Sequence, residues 1–174
     1  MFVIPTVAII SPLEESQIQP NAIDITCDQI FSFNKQNITN GIINQMILLK
    51  EGKTQHAERR PVLTQLQYHA EGKTEDRDDN WYLNSGAYPF ESNTEVEIPD
   101  GHVGWLITRS SLNRNGVIVH SGLYDSGFKG NIGGTLYVMG TPLITIQRGA
   151  RIAQFVLAKA ESVGHYNGQY QKST

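Results

Sequence analysis

An all-β fold is what this sequence of 174 residues predicts, and three observations lead to it. Sixteen glycines and seven prolines cut the chain into short runs. Those runs alternate apolar and polar residues with the period of a strand, and apolar residues almost nowhere recur at the i, i+3, i+4, i+7 spacing of an amphipathic helix. In order, strands are expected over 22–25, 31–33, 45–49, 81–83, 94–98, 103–108, 116–119, 131–138, 142–146 and 152–158. Ile23-Asp-Ile and Thr94-Glu-Val-Glu-Ile alternate, and the second stops at Pro99-Asp100-Gly101, a turn sequence. The run 103–108 ends at the Arg109-Ser110-Ser111 step, 116–119 opens on Gly116, and 152–158 is almost wholly apolar, as a strand buried on both faces would be. Ten or so short strands parted by Gly, Pro, Asn and Asp suggest a sandwich, a jelly roll or a distorted barrel.

Two stretches break that rhythm. Residues 50–80 are polar, with Gly52, Gly72 and the run Glu75-Asp76-Arg77-Asp78-Asp79, and read as an insertion leaving the core, with a short helix at 62–69. The acidic run lacks the alternating ligands and central glycine of a calcium loop, so a solvated turn is expected there. Residues 161–174 are polar, and composition alone makes them a mobile tail. The whole, 1–174, reads as a single domain.

Composition bounds the function. The hydrophobic fraction is 39% and the charged fraction 18%, enough for one sizeable core. The net charge of -3 argues against coating nucleic acid by bulk electrostatics. One cysteine, Cys27, excludes a disulfide framework and a Cys-rich zinc site, and suits a reducing compartment such as the cytoplasm. No run reaches the roughly 18 apolar residues of a membrane span, and residues 1–10 lack the features of a signal peptide.

Two segments hold residues that could carry chemistry. In Thr108-Arg109-Ser110-Ser111-Leu112-Asn113-Arg114 a strand runs into a short helical turn that Ser110 or Ser111 can cap. Free backbone N–H groups flanked by Arg109 and Arg114 could hold a phosphate chain, although the residues taken alone favour an ordinary capped turn. In 116–130, glycines at 116, 122, 127 and 130 would let backbone approach a flat ligand such as a nucleobase, with Asp125 beside it as a base for water. Asp-Ser-Gly is equally a routine turn, and His120 reads as a strand histidine, not a metal ligand.

Four segments in order resemble the motifs of the dUTPase and dCTP deaminase superfamily. They are Ile18-Gln-Pro-Asn-Ala-Ile-Asp-Ile25, Val96-Glu-Ile-Pro-Asp-Gly101 with Arg109-Ser-Ser-Leu112, Gly122-Leu-Tyr-Asp-Ser-Gly-Phe-Lys-Gly130, and Gln147-Arg-Gly-Ala-Arg-Ile-Ala-Gln154. The resemblance implies a distorted jelly-roll or barrel subunit, a homotrimer with sites shared between neighbours, and a deoxypyrimidine triphosphate, dUTP or dCTP, held with Mg²⁺. It implies that Asp125 meets the sugar hydroxyl and orients water, and that Phe128 stacks on the sugar. Arg109, Ser110, Ser111, Arg114 and Gln154 would hold phosphates, while Gly122, Tyr124, Tyr166 and Gln169 would complete the substrate site. Asp24 would support the metal indirectly, through water.

The branches of this superfamily differ in chemistry. Zinc-dependent deamination needs a metal set that one cysteine cannot supply. The metal-free deaminases resemble one another in a glutamate after the third motif, where this register has Thr135, which has no useful pKa for proton shuttling. The Gln19-Pro20-Asn21 wording and the tail Tyr166-Asn167-Gly168-Gln169 resemble the deaminase branch, and no arginine-bearing glycine-rich fifth motif is found. The expectation is therefore dUTP diphosphatase chemistry on a deaminase-like scaffold, with dCTP deamination or non-catalytic nucleotide binding as alternatives. For Gly133-Gly134, a bulge and room beside a base both remain open.

Overall fold

In the computed structural model, residues 2–3, 10–33, 59–61, 79–140, 143–168 and 170–172 are described. Two antiparallel sheets carry the core. In the first, β12 (Arg151–Lys159) pairs along one edge with β3 (Ile23–Thr26) and β1 (Phe2–Val3), and along the other with β8 (His102–Thr108). In the second, the order is β5 (Arg59–Pro61), β4 (Gln29–Phe33), β7 (Gly86–Glu97), β10 (Lys129–Val138) and β9 (Val117–His120), with β2 (Ile10–Ser11) also on β7. A separate ribbon joins β6 (Asn80–Leu83) to β11 (Ile144–Gln147). One helical turn, α1 (Ser110–Asn113), follows β8.

The fold is thus mostly β, in two sheets with no continuous ladder around them among the described residues. Where β8 faces β9, hydroxyls stand in for strand pairing. Thr108 Oγ1 donates to the Val119 carbonyl at 3.1 Å and accepts the Val119 N–H at 2.8 Å, and the Leu106 N–H donates to Ser121 Oγ at 2.9 Å. Alternation puts Ile132, Leu136 and Val138 of β10 inward, where they meet Phe90, Val96, Val117 and Val119, all buried. Strand β12 has Ile152, Ala153, Phe155, Val156 and Leu157 buried, in keeping with its apolar sequence and its central place.

Most expected strands occur, shifted by a residue or two at their ends. The strand expected at 94–98 is the end of the longer β7, because Gly86–Asn93, despite Pro89, pairs with β10 across Val138↔Gly86 to Gly133↔Glu91. Strands β1, β2 and β5 were not expected, and β5, within the supposed insertion, pairs with β4. The strand expected at 45–49, the helix at 62–69 and most of the acidic run lie outside the described residues. Asp79, at its end, is not a solvated turn residue. Its carbonyl accepts the Arg148 N–H at 2.7 Å, and its carboxylate lies 3.6 Å from Arg148 Nη1, while Arg148 Nε is 3.3 Å from Asp28.

Composition also misleads about the tail. The Tyr166 N–H donates to the Ser126 carbonyl at 2.9 Å, Gln171 Nε2 donates to the Gly127 carbonyl at 2.9 Å, and the Lys172 N–H donates to the Lys129 carbonyl at 3.0 Å. Ser162 Oγ and Ser126 Oγ are 2.6 Å apart, and Lys172 Nζ is 2.6 Å from Glu95. The described tail residues are therefore strapped along the 126–130 loop by backbone groups that composition does not reveal.

Candidate active site

The first grouping centres on Asp24, in the middle of β3 and 0% exposed. A carboxylate so buried needs charged or hydrogen-bonding partners. Four side chains from three separated pieces of sequence supply them. Arg109 Nη2 lies 3.2 Å and Arg151 Nη1 3.5 Å from Asp24 Oδ2, Gln19 Nε2 donates to the same oxygen at 3.3 Å, and Gln154 Nε2 donates to Oδ1 at 3.2 Å. The β3–β12 register sets Asp24 against Gln154, and β12–β8 pairing brings Arg109 alongside. Arg109 Nη1 donates to the Arg151 carbonyl at 3.1 Å, and Arg151 Nη1 to the Ser16 carbonyl at 2.7 Å. The first, second and fourth motifs meet here, and Arg151 is a member that sequence reasoning missed. Its place in Arg151-Ile-Ala-Gln154, three residues before Gln154, was the available signal.

Arg109 is itself the N-cap residue of α1, with no side-chain cap, so neither Ser110 nor Ser111 caps that turn as expected. The reason is register: the turn begins one residue earlier than a serine cap requires, Arg109 being the last extended residue, so both serines fall inside the turn. Both are exposed beside the Asp24 grouping. Arg114 closes the turn and is exposed.

The second grouping is the third-motif loop. Asp125 is exposed and its carboxylate has no partner among the described residues. It borders a cleft of about 570 Å³ lined also by His102, Leu123, Ser126 and residues of the tail. Phe128 is 6% exposed, its ring 5.3 Å from that of Tyr124 and 5.4 Å, edge-on, from that of Tyr166. Tyr124 is a pillar of the fold: its hydroxyl donates to the Gly133 carbonyl at 2.7 Å and accepts the Gly133 N–H at 3.1 Å, and burial pushes its pKa up to about 12. Gly122 is open on its side-chain side, with nothing within 4 Å. A Cβ on Gly130 would lie 2.9 Å from the Phe128 ring and 3.1 Å from the Tyr170 carbonyl, so this glycine admits the tail, not a ligand. Gln169 lies outside the described residues.

Glycines 133 and 134 are explained by backbone approach. Between Asn131 and Gly133 the ladder slips, β7 spending the residues from Glu95 to Glu91 on a two-residue step of β10. A Cβ at Gly134 would meet the His120 carbonyl at 2.5 Å, and one at Gly133 the Phe90 carbonyl at 2.9 Å. Thr135 follows, opposite His120 of β9 and on the face turned away from Leu136 and the core.

The two groupings lie at opposite ends of β8. Tyr124 bridges to Gly104 near its start, while Arg109 follows its last residue, five positions on, or about 16 Å along an extended strand.

A family model described as dCTP deaminase-like matches residues 5–160. A probable deoxyuridine 5'-triphosphate nucleotidohydrolase of Halobacterium salinarum is 33% identical over 162 residues, covering 93% of this chain and 87% of that protein. A dCTP deaminase, dUMP-forming, of Rhodococcus opacus is 30% identical over 161 residues, covering 90% of this chain and 75% of the relative. In structure, the 2'-deoxycytidine 5'-triphosphate deaminase of Agrobacterium tumefaciens matches 84% of this chain and 42% of its own, at TM-score 0.53 and 17% identity, a likeness of fold. With nine-tenths of its length inside the matched span and relatives of both activities at such coverage, the chain belongs to the dCTP deaminase-like family.

Proposed function

We propose that this protein is a dUTP diphosphatase, an enzyme that cleaves dUTP with water to dUMP and pyrophosphate. The observation that carries the reading is Asp125, an exposed carboxylate with no partner among the described residues, on the lip of a cleft. A carboxylate so placed can accept a proton from attacking water and hold a sugar hydroxyl, which is what displacement at phosphorus asks of a protein beyond charge and geometry. No carboxylate stands at Thr135 to shuttle protons to a cytosine ring. The relatives named as deoxyuridine triphosphate nucleotidohydrolases support the same choice.

Arg109, Arg114, Ser110, Ser111 and Gln154 hold the triphosphate, supported by their gathering around Asp24 and α1. Gly122 leaves room for the base, Phe128 and Tyr166 form the aromatic wall near the sugar, and Tyr124 shapes the loop from beneath. A homotrimer with shared sites is part of the proposal. Asp125 and the Asp24 grouping, at opposite ends of β8, meet one nucleotide most readily when they come from different copies. The lone Cys27 is consistent with work in the cytoplasm.

Mg²⁺ enters chelated to the triphosphate, as part of the substrate, and shields phosphate charge. The residues here do not fit a protein-held ion. No group of three or more His, Cys, Asp or Glu gathers among the described residues, and both oxygens of Asp24 are engaged inside the protein.

Incubation with dUTP and, separately, dCTP in the presence of Mg²⁺ tests the reading. Pyrophosphate from dUTP and no ammonia from dCTP is expected. Ammonia from dCTP, favoured by the Rhodococcus relative, would make the protein a deaminase, and neither product would make it a non-catalytic binder.

A further inference from the structure

We infer that Gln171, in the tail, is a positioning residue for the reaction: its side-chain amide fixes the turn that presents Asp125, without touching the nucleotide. This rests on the dUTP diphosphatase reading and adds to it a residue outside the four motifs.

The Phe128 N–H donates to the Asp125 carbonyl at 3.0 Å and closes a tight turn over 125–128, with Gly127 in its third place at φ 79°, where a side chain would be strained. A chain so bent leaves backbone groups pointing several ways, and each needs a partner. Ile98, just past β7, serves the inner side: its carbonyl accepts the Gly127 N–H at 2.9 Å, and its N–H donates to the Phe128 carbonyl at 2.8 Å. Other groups of the segment find partners in the tail. The Ser126 carbonyl accepts the Tyr166 N–H at 2.9 Å, and the Lys129 carbonyl accepts the Lys172 N–H at 3.0 Å. Between these lie the Gly127 carbonyl and the Lys129 N–H, and one side chain serves both. Gln171 Nε2 donates to the Gly127 carbonyl at 2.9 Å, and Gln171 Oε1 accepts the Lys129 N–H at 3.1 Å. A primary amide carries donor and acceptor in one plane, so it meets a carbonyl and an N–H two residues apart as one residue of a parallel strand would.

Gln171 is itself anchored on both sides. Its N–H donates to the Gly168 carbonyl at 3.2 Å, and Lys172 Nζ, on the next residue, is 2.6 Å from Glu95 of β7. Among the described residues, the tail's share of the cleft wall ends at Gly168, so Gln171 stands outside the cleft that Asp125 borders and acts through the turn. Asp125 is exposed and its carboxylate has no partner among the described residues, so the backbone of this turn sets where the carboxylate stands. A base displaced by about 1 Å is a poor partner for water attacking in line.

Steady-state kinetics of the full chain with dUTP and Mg²⁺ test this. Gln171→Ala is expected to lower kcat by about ten- to a hundredfold and to leave KM within about threefold. Gln171→Glu keeps the acceptor for Lys129 and loses the donor to Gly127, so its kcat should fall between those of the other two. In the Asp125→Asn background Gln171→Ala should lower kcat no further, because both changes act through one carboxylate. Hydrogen exchange reads the contact without turnover: the Lys129 amide should exchange faster in Gln171→Ala than in wild type, and an unchanged rate overturns the contact. A raised KM with kcat kept would put Gln171 on the nucleotide, a lowered Tm with kcat kept would confine it to stability, and an additive loss in the Asp125→Asn background would give it another target; each overturns the inference. Wild-type protein that cleaves no dUTP refutes the functional reading and this inference together, whereas active wild type with an indifferent Gln171→Ala refutes this inference alone.

Discussion

Tyr124→Phe removes one oxygen and keeps the ring that packs 5.3 Å from Phe128 and 5.9 Å from Phe155. That oxygen serves both backbone groups of Gly133, at 2.7 and 3.1 Å, because β9 ends at the His120↔Thr135 pair and offers Gly133 no strand partner. Two hydrogen bonds at roughly 1 kcal/mol each, in a partly covered site, give a loss of about 2 kcal/mol. For a chain of this size that is a fall in Tm of about 4–8 °C. The pH dependence adds a second signature. Burial raises the folded-state pKa of Tyr124 from 10.0 to about 12, so the folded protein keeps the phenolic proton where the unfolded chain has released it. The stability tied to that proton is whole below pH 10 and is lost as pH climbs toward 12. Urea unfolding of both proteins at neutral pH and at several alkaline values measures this. The gap between them should be widest at neutral pH and narrow above pH 10, over a decline from Cys27, pushed up to about 12 by burial, that both share. A variant as stable as wild type at neutral pH, or a gap independent of alkaline pH, would refute the reasoning.

Asp125→Asn should lower dUTP turnover by several orders of magnitude and leave nucleotide binding within about tenfold, since an amide holds a sugar hydroxyl but takes no proton; near-normal turnover would remove Asp125 from the reaction. Arg114→Ala should weaken triphosphate binding far more than nucleoside binding, as calorimetry with both ligands would report, and equal losses would place Arg114 elsewhere. Gly134→Ala puts a Cβ 2.5 Å from the His120 carbonyl, so β9 and β10 must part; a Tm within about 2 °C of wild type would contradict that contact. Thr135→Glu should yield no efficient ammonia release from dCTP. His120 stands directly across the ladder from it, so the new carboxylate gains a neighbour and the fold should survive; ammonia production at the rate of dUTP cleavage would show a deaminase lacking one residue.

Much of this was legible in the chain. Period-two alternation in Thr94–Ile98 and the apolar run at 152–158 announce strands because side-chain burial alternates by geometry, independent of partners. The four motifs announce the family because each keeps its residue types in a fixed local spacing. What sequence withheld was set by partners distant along the chain. Gly86–Asn93 reads as loop until β10 pairs with it, and Ser110 reads as a cap until the turn starts one residue earlier, with Arg109 in the cap position. The tail reads as mobile because its anchors are backbone carbonyls of residues 126, 127 and 129, which have no sequence signature. Asp24 reads as one acidic residue in a strand, and only the register of β3, β12 and β8 closes two arginines and two glutamines around it. Local chemistry, then, was determined by the sequence itself. The charge environment of the site was decided by tertiary pairing, since electrostatics depends on distances in space that no linear spacing contains.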